Sequence, residues 1–349
     1  MKALVFHGPG LKSWDSVPDP RIQDPTDVIV QIDTTTICGS DLHILKGDVA
    51  SVKPGTILGH EGVGTVVEVG KDAGKFAVGD RVVVPAITTC GTCAYCRVGK
   101  AAHCMSTGVG GWVLGNATNG TQAEYVRVPF GETSLHRIPA DLTDAEIIYV
   151  SDIIPTAYEM GVQNGQVAPG DTVVVIGAGP VGLSAMLTSQ FMSPKRIIAV
   201  DLDDNRLEQA VAHFGATHAV NSGREGWMDE VRALSPVGGA NVVIEAVGIP
   251  STLEAAFDLV RPCGRVANIG VHGHPVTVPM DRLWIANITI TMGLVNGVTA
   301  PMLIDLIEAG RLDIKPLTTH TFTLDQFEQA YDVFSHAAAN DALKVLVTR

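Results

Sequence analysis

The run Thr172-Val173-Val174-Val175-Ile176, followed at once by Gly177-Ala178-Gly179-Pro180-Val181-Gly182, constrains this chain more than any other stretch. A continuous apolar and β-branched run reads as a strand buried on both faces, as in a parallel sheet. The glycines fit a tight turn and a close backbone approach, and Leu183-Ser184-Ala185-Met186-Leu187 continues at helical composition. A helix N-terminus placed there offers amide donors and a positive dipole end to a pyrophosphate. Further strand readings at 196–201, 241–245 and 264–269 alternate with helical stretches at 205–214, 227–234 and 252–260. That order is the signature of an α/β, doubly wound parallel sheet.

The strand at 196–201 ends in Asp201, about twenty residues past Gly182, where a carboxylate accepts hydrogen bonds from an adenosine ribose diol. A 2'-phosphate there would meet a like charge, costing about 1–4 kcal/mol at about 4 Å for effective dielectrics of about 80 to 20. NAD is therefore favoured over NADP. Arg206 is placed at the same cofactor site, where it would neutralise part of the Asp201 charge; the alternative is that Asp201 only caps the next helix, alongside Asp203 and Asp204.

The 349 residues exceed the usual size of one domain, roughly 100–200 residues, so two domains are expected. Lys and Arg number 24 against 37 Asp and Glu, a net charge of −13. Without a basic run, such a chain repels nucleic acid. Glycines and Pro180 interrupt the longest apolar run, and Gly8 and Pro9 break the opening residues before any signal-like core forms. No membrane association is expected, and the location is read as cytoplasmic.

Up to about residue 150, short β runs at 28–32, 64–69, 81–84 and 123–128 are separated by Gly and Pro, which reads as a loop-rich β domain. Within it, Cys38-Gly39-Ser40-Asp41-Leu42-His43 and Gly59-His60-Glu61-Gly62 gather a thiol, two imidazoles and carboxylates. These are the residue types of a catalytic zinc site and its supports. Four of the six cysteines, Cys90, Cys93, Cys96 and Cys104, form a second set. Four thiolates at this spacing wrap one tetrahedral zinc with no open position, so that site is read as structural; free thiols in a surface loop are the alternative. After 292 the pattern turns irregular, with a helix at 300–309 and a last β run at 343–347 that would complete the first domain.

With these parts in view, the sequence resembles the zinc-dependent alcohol dehydrogenases of the medium-chain dehydrogenase/reductase superfamily over essentially its whole length. The resemblance rests on the two ligand motifs, the four-cysteine loop, Gly177 to Gly182 and the terminal Leu343-Lys344-Val345. It implies a GroES-like β-rich catalytic domain over 1–153 and 295–349, with a Rossmann NAD-binding domain over 154–294 between them. It also implies Cys38, His60 and Asp152 as catalytic zinc ligands, Glu61 as an occasional fourth, and Asp41 orienting His60. Most family members carry Cys where Asp152 stands. The Asp is similar to the secondary-alcohol and formaldehyde branches, and Trp112 to the pocket tryptophan of the former, whereas many secondary-alcohol enzymes lack the four-cysteine loop and use NADP.

The implied reaction is reversible hydride transfer between a secondary alcohol or ketone and NAD. Zinc lowers the pKa of bound water from about 15.7 to about 7, and an alcohol responds similarly. Ser40, the cofactor ribose and His43 would relay the proton to solvent, although a lone His in that position is otherwise structural. Further implied contacts are Val247, Ile269, Gly270 and Val271 beside the nicotinamide ribose, Leu294 and Val295 near the carboxamide, and Lys344 toward the pyrophosphate. Apolar residues at strand ends are core residues by default. Leu294 would share the substrate pocket with Trp112. A homo-oligomer follows by analogy, a tetramer before a dimer. The alternatives are a polyol or formaldehyde dehydrogenase, or, in a different class, a zinc-free quinone reductase or a noncatalytic NAD(H)-binding protein.

Overall fold

The computed structural model describes residues 1–236 and 238–349. The chain forms two compact units, one of Met1–Pro155 with Asn296–Arg349, the other of Thr156–Val295. The changeovers at 155 and 295 compare with 153 and 294 in the sequence reading.

In the inserted unit, six parallel strands lie in the spatial order His218–Asn221, Arg196–Asp201, Thr172–Ile176, Ala240–Glu245, Val260–Asn268, Thr289–Met292. Numbered along the unit this is 3-2-1-4-5-6, the doubly wound order in which a dinucleotide binds at the carboxyl ends of the central strands. The middle strand Thr172–Ile176 is buried at every position, as its unbroken apolar run requires. Helices Pro180–Ser189, Asp204–His213, Trp227–Leu234 and Pro250–Leu259 supply the crossovers. One core forms where Val174, Ile198, Val243 and Val266 of the sheet meet Val231, Leu253 and Phe257 of the helices.

The first βα turn is held by close packing. Gly177 sits at φ +100°, and its N–H donates to the Val200 carbonyl at 2.7 Å. A Cβ on Gly182 would overlap the Gly177 carbonyl oxygen, so strand and helix can approach only without a side chain at 182.

The outer unit is built on a seven-stranded sheet. Thr318–Thr323, Lys344–Thr348, Val28–Thr36, Gly62–Val69, Arg81–Val84 and His136–Arg137 follow one another, and Tyr125–Val128 also pairs with Val28–Thr36. The C-terminal strand Lys344–Thr348 runs antiparallel to Val28–Thr36, so this sheet needs sequence from both sides of the inserted unit. Lys2–Gly8 and Leu11–Ser16 form a separate hairpin.

Val28–Thr36 outruns the 28–32 of the sequence reading. Thr34, Thr35 and Thr36 are polar yet buried, because each hydroxyl finds an acceptor. Thr34 donates to Asp144, Thr35 to the Glu61 carbonyl and Thr36 to the Val345 carbonyl, at 2.6–2.8 Å. The 264–269 reading likewise grows to Val260–Asn268 through an irregular register against Ala240–Glu245.

Replacing Gly182 by Ala should lower the unfolding free energy by about 1–3 kcal/mol, read from the urea midpoint. Gly179, with no atom within 4 Å of an added Cβ, should tolerate Ala at about 1 kcal/mol or less.

Candidate functional site

Cys38 ends the loop before helix Gly39–Lys46 and adopts extended backbone, φ −107° and ψ 158°. Asp41, in the first turn of that helix, accepts the Cys38 N–H on Oδ2 at 2.9 Å and so satisfies one of the orphan donors there. His60 and Glu61 precede strand Gly62–Val69. Gly59 before them holds φ +92°, and a Cβ would lie 2.5 Å from Gln122 Cγ and 2.8 Å from the Gln122 N. Only glycine permits that approach. The Glu61 carbonyl accepts hydroxyls from Thr35 at 2.7 Å and Thr121 at 2.8 Å, which fixes the backbone beside His60. Asp152 follows the 3-10 turn Ile148–Ser151, whose last carbonyl accepts the Ala86 N–H at 2.9 Å.

These segments bring together one ligand atom each from Cys38, His60, Glu61 and Asp152, all within 4.8 Å of one another. Cys38 Sγ and His60 Nε2 each lie 3.6 Å from Asp152 Oδ2. A tetrahedral zinc with bonds of about 2.0–2.3 Å has donor-to-donor edges of about 3.3–3.8 Å. The spacing and the sulfur, nitrogen and oxygen donors therefore fit zinc. The electrostatics fit as well. Burial pushes the Cys38 thiol up, and the Asp152 and Glu61 carboxylates push it further. Burial also pushes up the Glu61 carboxyl. Burial would pull the His60 imidazolium down, but its hydrogen bond to Asp152 and the Asp41 charge hold it well above the ordinary range. A cluster that favours a protonated imidazole is one that attracts positive charge.

Around the ligands, His60 Nδ1 faces Asp41 Oδ1 at 3.6 Å, and neither atom has a hydrogen-bond partner. Ser40 Oγ lies 3.2 Å from His60 Nε2. His43, on the same helix, is part-exposed and its Nδ1 is 2.8 Å from Asp48 Oδ2. The Trp112 ring stands edge-on to His60, 5.9 Å between centroids.

Lys344 departs from the sequence reading. Its side chain is 1 % exposed, and Nζ donates to Glu61 Oε1 at 2.8 Å and to the Ile37 carbonyl at 2.9 Å. With the ammonium committed to those two acceptors and closed to solvent, it is not presented to a pyrophosphate. Its work is to neutralise Glu61, whose other oxygen, Oε2, has no partner.

The four cysteines of the second set also converge. Cys93 and Cys90 Sγ lie 3.4 and 3.9 Å from Cys96 Sγ. Hydroxyls of Thr89 and Ser106 donate to Cys96 and Cys90, both at 3.1 Å, and the Cys93 N–H donates to Cys90 at 3.4 Å. Burial opposes ionisation of Cys90, yet these donors bring its pKa down to about 5, while burial pushes Cys104 up to about 11. The donor set again fits zinc, here with every position filled by sulfur.

In the inserted unit, Gly179 is the N-cap of helix Pro180–Ser189, with Pro180 and Val181 in its first turn. Open space beside Gly179 leaves its backbone free for a phosphate to approach, which fits a dinucleotide. Asp201 Oδ2 accepts the Ala178 N–H at 2.6 Å, and Oδ1 the Asp203 N–H at 3.0 Å. The cap of the next helix is Asp203, not Asp201. Arg206 corrects the reading in another way: its Nε is 3.9 Å from Asp203, so its charge is directed there rather than to Asp201.

Val247, Val271 and Leu294 are exposed, Ile269 and Gly270 part-exposed, and Val295 buried. Sequence reasoning missed Glu245, which ties these loops together. Fully buried, it accepts the N–H groups of Val247 and Gly248 on Oε1, both at 2.9 Å, and its carbonyl accepts those of Ile269 and Gly270. A carboxylate closing an otherwise apolar strand was the available signal. Gln122 and Tyr331, behind Asp41, were also missed, and neither stands in a ligand-like spacing.

Residues 24–140 match the family model of the alcohol dehydrogenase GroES-like domain, and residues 180–309 that of the zinc-binding dehydrogenases. An alcohol dehydrogenase of Cupriavidus necator is 36 % identical over 353 residues, covering 96 % of this chain and 95 % of the relative. Among solved structures, zinc dependent alcohol dehydrogenase 2 from Streptococcus pneumonia superposes with a TM-score of 0.95 at 47 % identity, covering 100 % and 98 % of the two chains. Alcohol dehydrogenase TADH from Thermus sp. ATN1 gives 0.91 at 37 % identity, covering 100 % and 99 %.

Lys344→Met should cost about 3–5 kcal/mol of stability, since it strands a buried carboxylate. The double variant with Glu61→Leu should recover most of that loss. Chemical denaturation of the two variants against the parent chain reads both values.

Proposed function

This chain belongs to the zinc-dependent alcohol dehydrogenases of the medium-chain dehydrogenase/reductase superfamily, and from that premise we propose that it interconverts secondary alcohols and ketones using NAD and two zinc ions. The observation that carries the catalytic reading is the convergence of sulfur, nitrogen and oxygen donors from Cys38, His60 and Asp152, with Glu61 adjoining. Three such ligands leave one position for substrate, whereas the four cysteines leave none.

When bound, zinc supplies the Lewis acidity that lets an alcohol lose its proton near neutral pH and polarises a ketone in the reverse direction. The rest is the work of side chains. Cys38, His60 and Asp152 would hold the metal, Asp41 would orient the His60 ring, and Lys344 pairs with Glu61. Ser40, at 3.2 Å from the His60 Nε2, takes the substrate proton, and His43, part-exposed on Asp48, passes it to solvent. Trp112, edge-on to His60, would bound the substrate.

NAD, when bound, would accept the hydride. The N-terminus of helix Pro180–Ser189 would hold the pyrophosphate at Gly177, Gly179, Pro180, Val181 and Gly182. Asp201 would hold the adenosine ribose. Val247, Ile269, Gly270 and Val271 would contact the nicotinamide ribose, and Leu294 and Val295 the carboxamide.

Trp284 at 71 % and Ile285 at 69 % exposure, close in sequence to the edge strand Thr289–Met292, favour a homo-oligomer, a tetramer before a dimer. Six reduced cysteines fit a cytoplasmic location, and among the described residues no helix is long and apolar enough to cross a membrane.

Metal analysis and a steady-state screen test this reading together. The expected result is two zincs per chain, activity lost on chelation, and kcat/KM for 2-propanol or 1-phenylethanol with NAD at least about tenfold above sorbitol, formaldehyde or NADP, a margin of about 1.4 kcal/mol. Activity that survives removal of all zinc would sink the proposal. Asp201→Ser should narrow the NAD-to-NADP ratio about tenfold or more, and an unchanged ratio would remove Asp201 from the cofactor site.

A further inference from the structure

Two buried polar side chains outside the ligand set stand in line behind His60. Tyr331, on helix Phe327–Ser335, is 1 % exposed and Gln122 is 0 % exposed. The Tyr331 hydroxyl donates to Gln122 Oε1 at 2.8 Å. Gln122 Nε2 then donates to Asp41 Oδ2 at 3.0 Å and to the Thr36 carbonyl at 3.3 Å. Asp41 Oδ2 also receives the Cys38 N–H, which leaves Oδ1 toward His60 Nδ1.

We propose that Tyr331 and Gln122 are positioning residues for the zinc ligand His60, acting through the orientation of one amide. The proposal rests on the reading of Cys38, His60 and Asp152 as a zinc site. A glutamine amide has two faces, and rotating it by half a turn exchanges oxygen for NH2. Here Asp41 and the Thr36 carbonyl offer only acceptors and so require the NH2, and the Tyr331 hydroxyl donates to the oxygen left on the other side.

Burial and the Asp41 charge hold the Tyr331 phenol well above its ordinary pKa, so it remains a donor. Its ring is fixed beneath Lys12, whose Nζ is 5.0 Å from the centroid. Phe327, on the same helix, packs against Trp14 with centroids 5.1 Å apart.

Without the phenol, the amide keeps its two acceptors but its buried oxygen loses its donor, and Gln122 shifts to relieve that cost, moving the NH2 on which Asp41 Oδ2 rests. That shift moves Asp41, whose Oδ1 faces His60 Nδ1 at 3.6 Å, and with it the charge that steadies the ring whose Nε2 lies 3.6 Å from Asp152. Tyr331 thus ties a helix downstream of the inserted unit to the ligand geometry of a residue near the start of the chain.

The test compares Tyr331→Phe, Gln122→Met and the double variant with the parent full-length holoenzyme. Zinc release to a chromophoric chelator is followed at both sites, with the four-cysteine zinc as internal reference, and cobalt-substituted protein gives the visible ligand-field spectrum. Tyr331→Phe should release one zinc per chain about 3–10-fold faster, leave the other unchanged and shift the cobalt spectrum. Gln122→Met should do at least as much, and adding Tyr331→Phe to it should change nothing further. Wild-type release rates and an unaltered spectrum in Tyr331→Phe overturn the proposal, even with a lower melting temperature, since a packing role alone gives that pattern. Should Gln122→Met not fold, Tyr331→Phe decides alone. A parent enzyme holding only one zinc, on the four cysteines, refutes the underlying metal reading before any variant is compared.

Discussion

Too much negative charge is packed around His60 for the outer unit to be stable without compensation. Cys38, Glu61 and Asp152 offer ligand atoms within 4.8 Å of one another, and Asp41 stands behind the ring with a side chain 1 % exposed. Each would be costly to bury ionised and alone. Lys344 compensates Glu61 permanently, at 2.8 Å, and the remaining donors are left for a dication. A buried ion pair of this kind adds little over an apolar pair of the same shape, but losing one partner is severe. The pair therefore works less as a source of stability than as a way to keep Glu61 charged and turned aside while three other ligands converge.

The two thiol-bearing sites show how the same element of chemistry is directed to different ends. At the four-cysteine loop, Thr89, Ser106 and backbone N–H groups donate to sulfur, a set complete in itself. At Cys38 the donor groups are mixed in type and come from separate segments: a helix N-cap, the approach to a strand and the end of a 3-10 turn. Such a site holds its geometry only through its supports, which explains the investment of buried polar groups in Thr35, Thr121, Gln122 and Tyr331.

What the sequence made legible was whatever repeats or clusters locally. The strand Thr172–Ile176, the glycine turn after it and the four cysteines are each contained in one short run; the strand forms as read, and the cysteines converge. Strand Arg81–Val84 and helix Trp227–Leu234 match their readings at both ends. Where tertiary partners decide, local pattern failed. Polar Thr34, Thr35 and Thr36 extend a strand only because acceptors from elsewhere meet them. Lys344 carries no local hint of Glu61, which lies 283 positions away, and the motif match alone sent it to the wrong partner. Gln122 and Tyr331 are separated by 209 positions, and no periodicity links them.

The split construction of the outer unit also sets an order on assembly during synthesis. Cys38, His60 and Asp152 leave the ribosome before the inserted unit, but Lys344 and Tyr331 follow it. The inserted unit has its own core and an all-parallel sheet, so it can fold while the donor cluster is still without its counter-charge and the anchor of Gln122. A chain interrupted in the meantime would carry a finished nucleotide fold and a donor cluster at His60 that lacks both Lys344 and Tyr331.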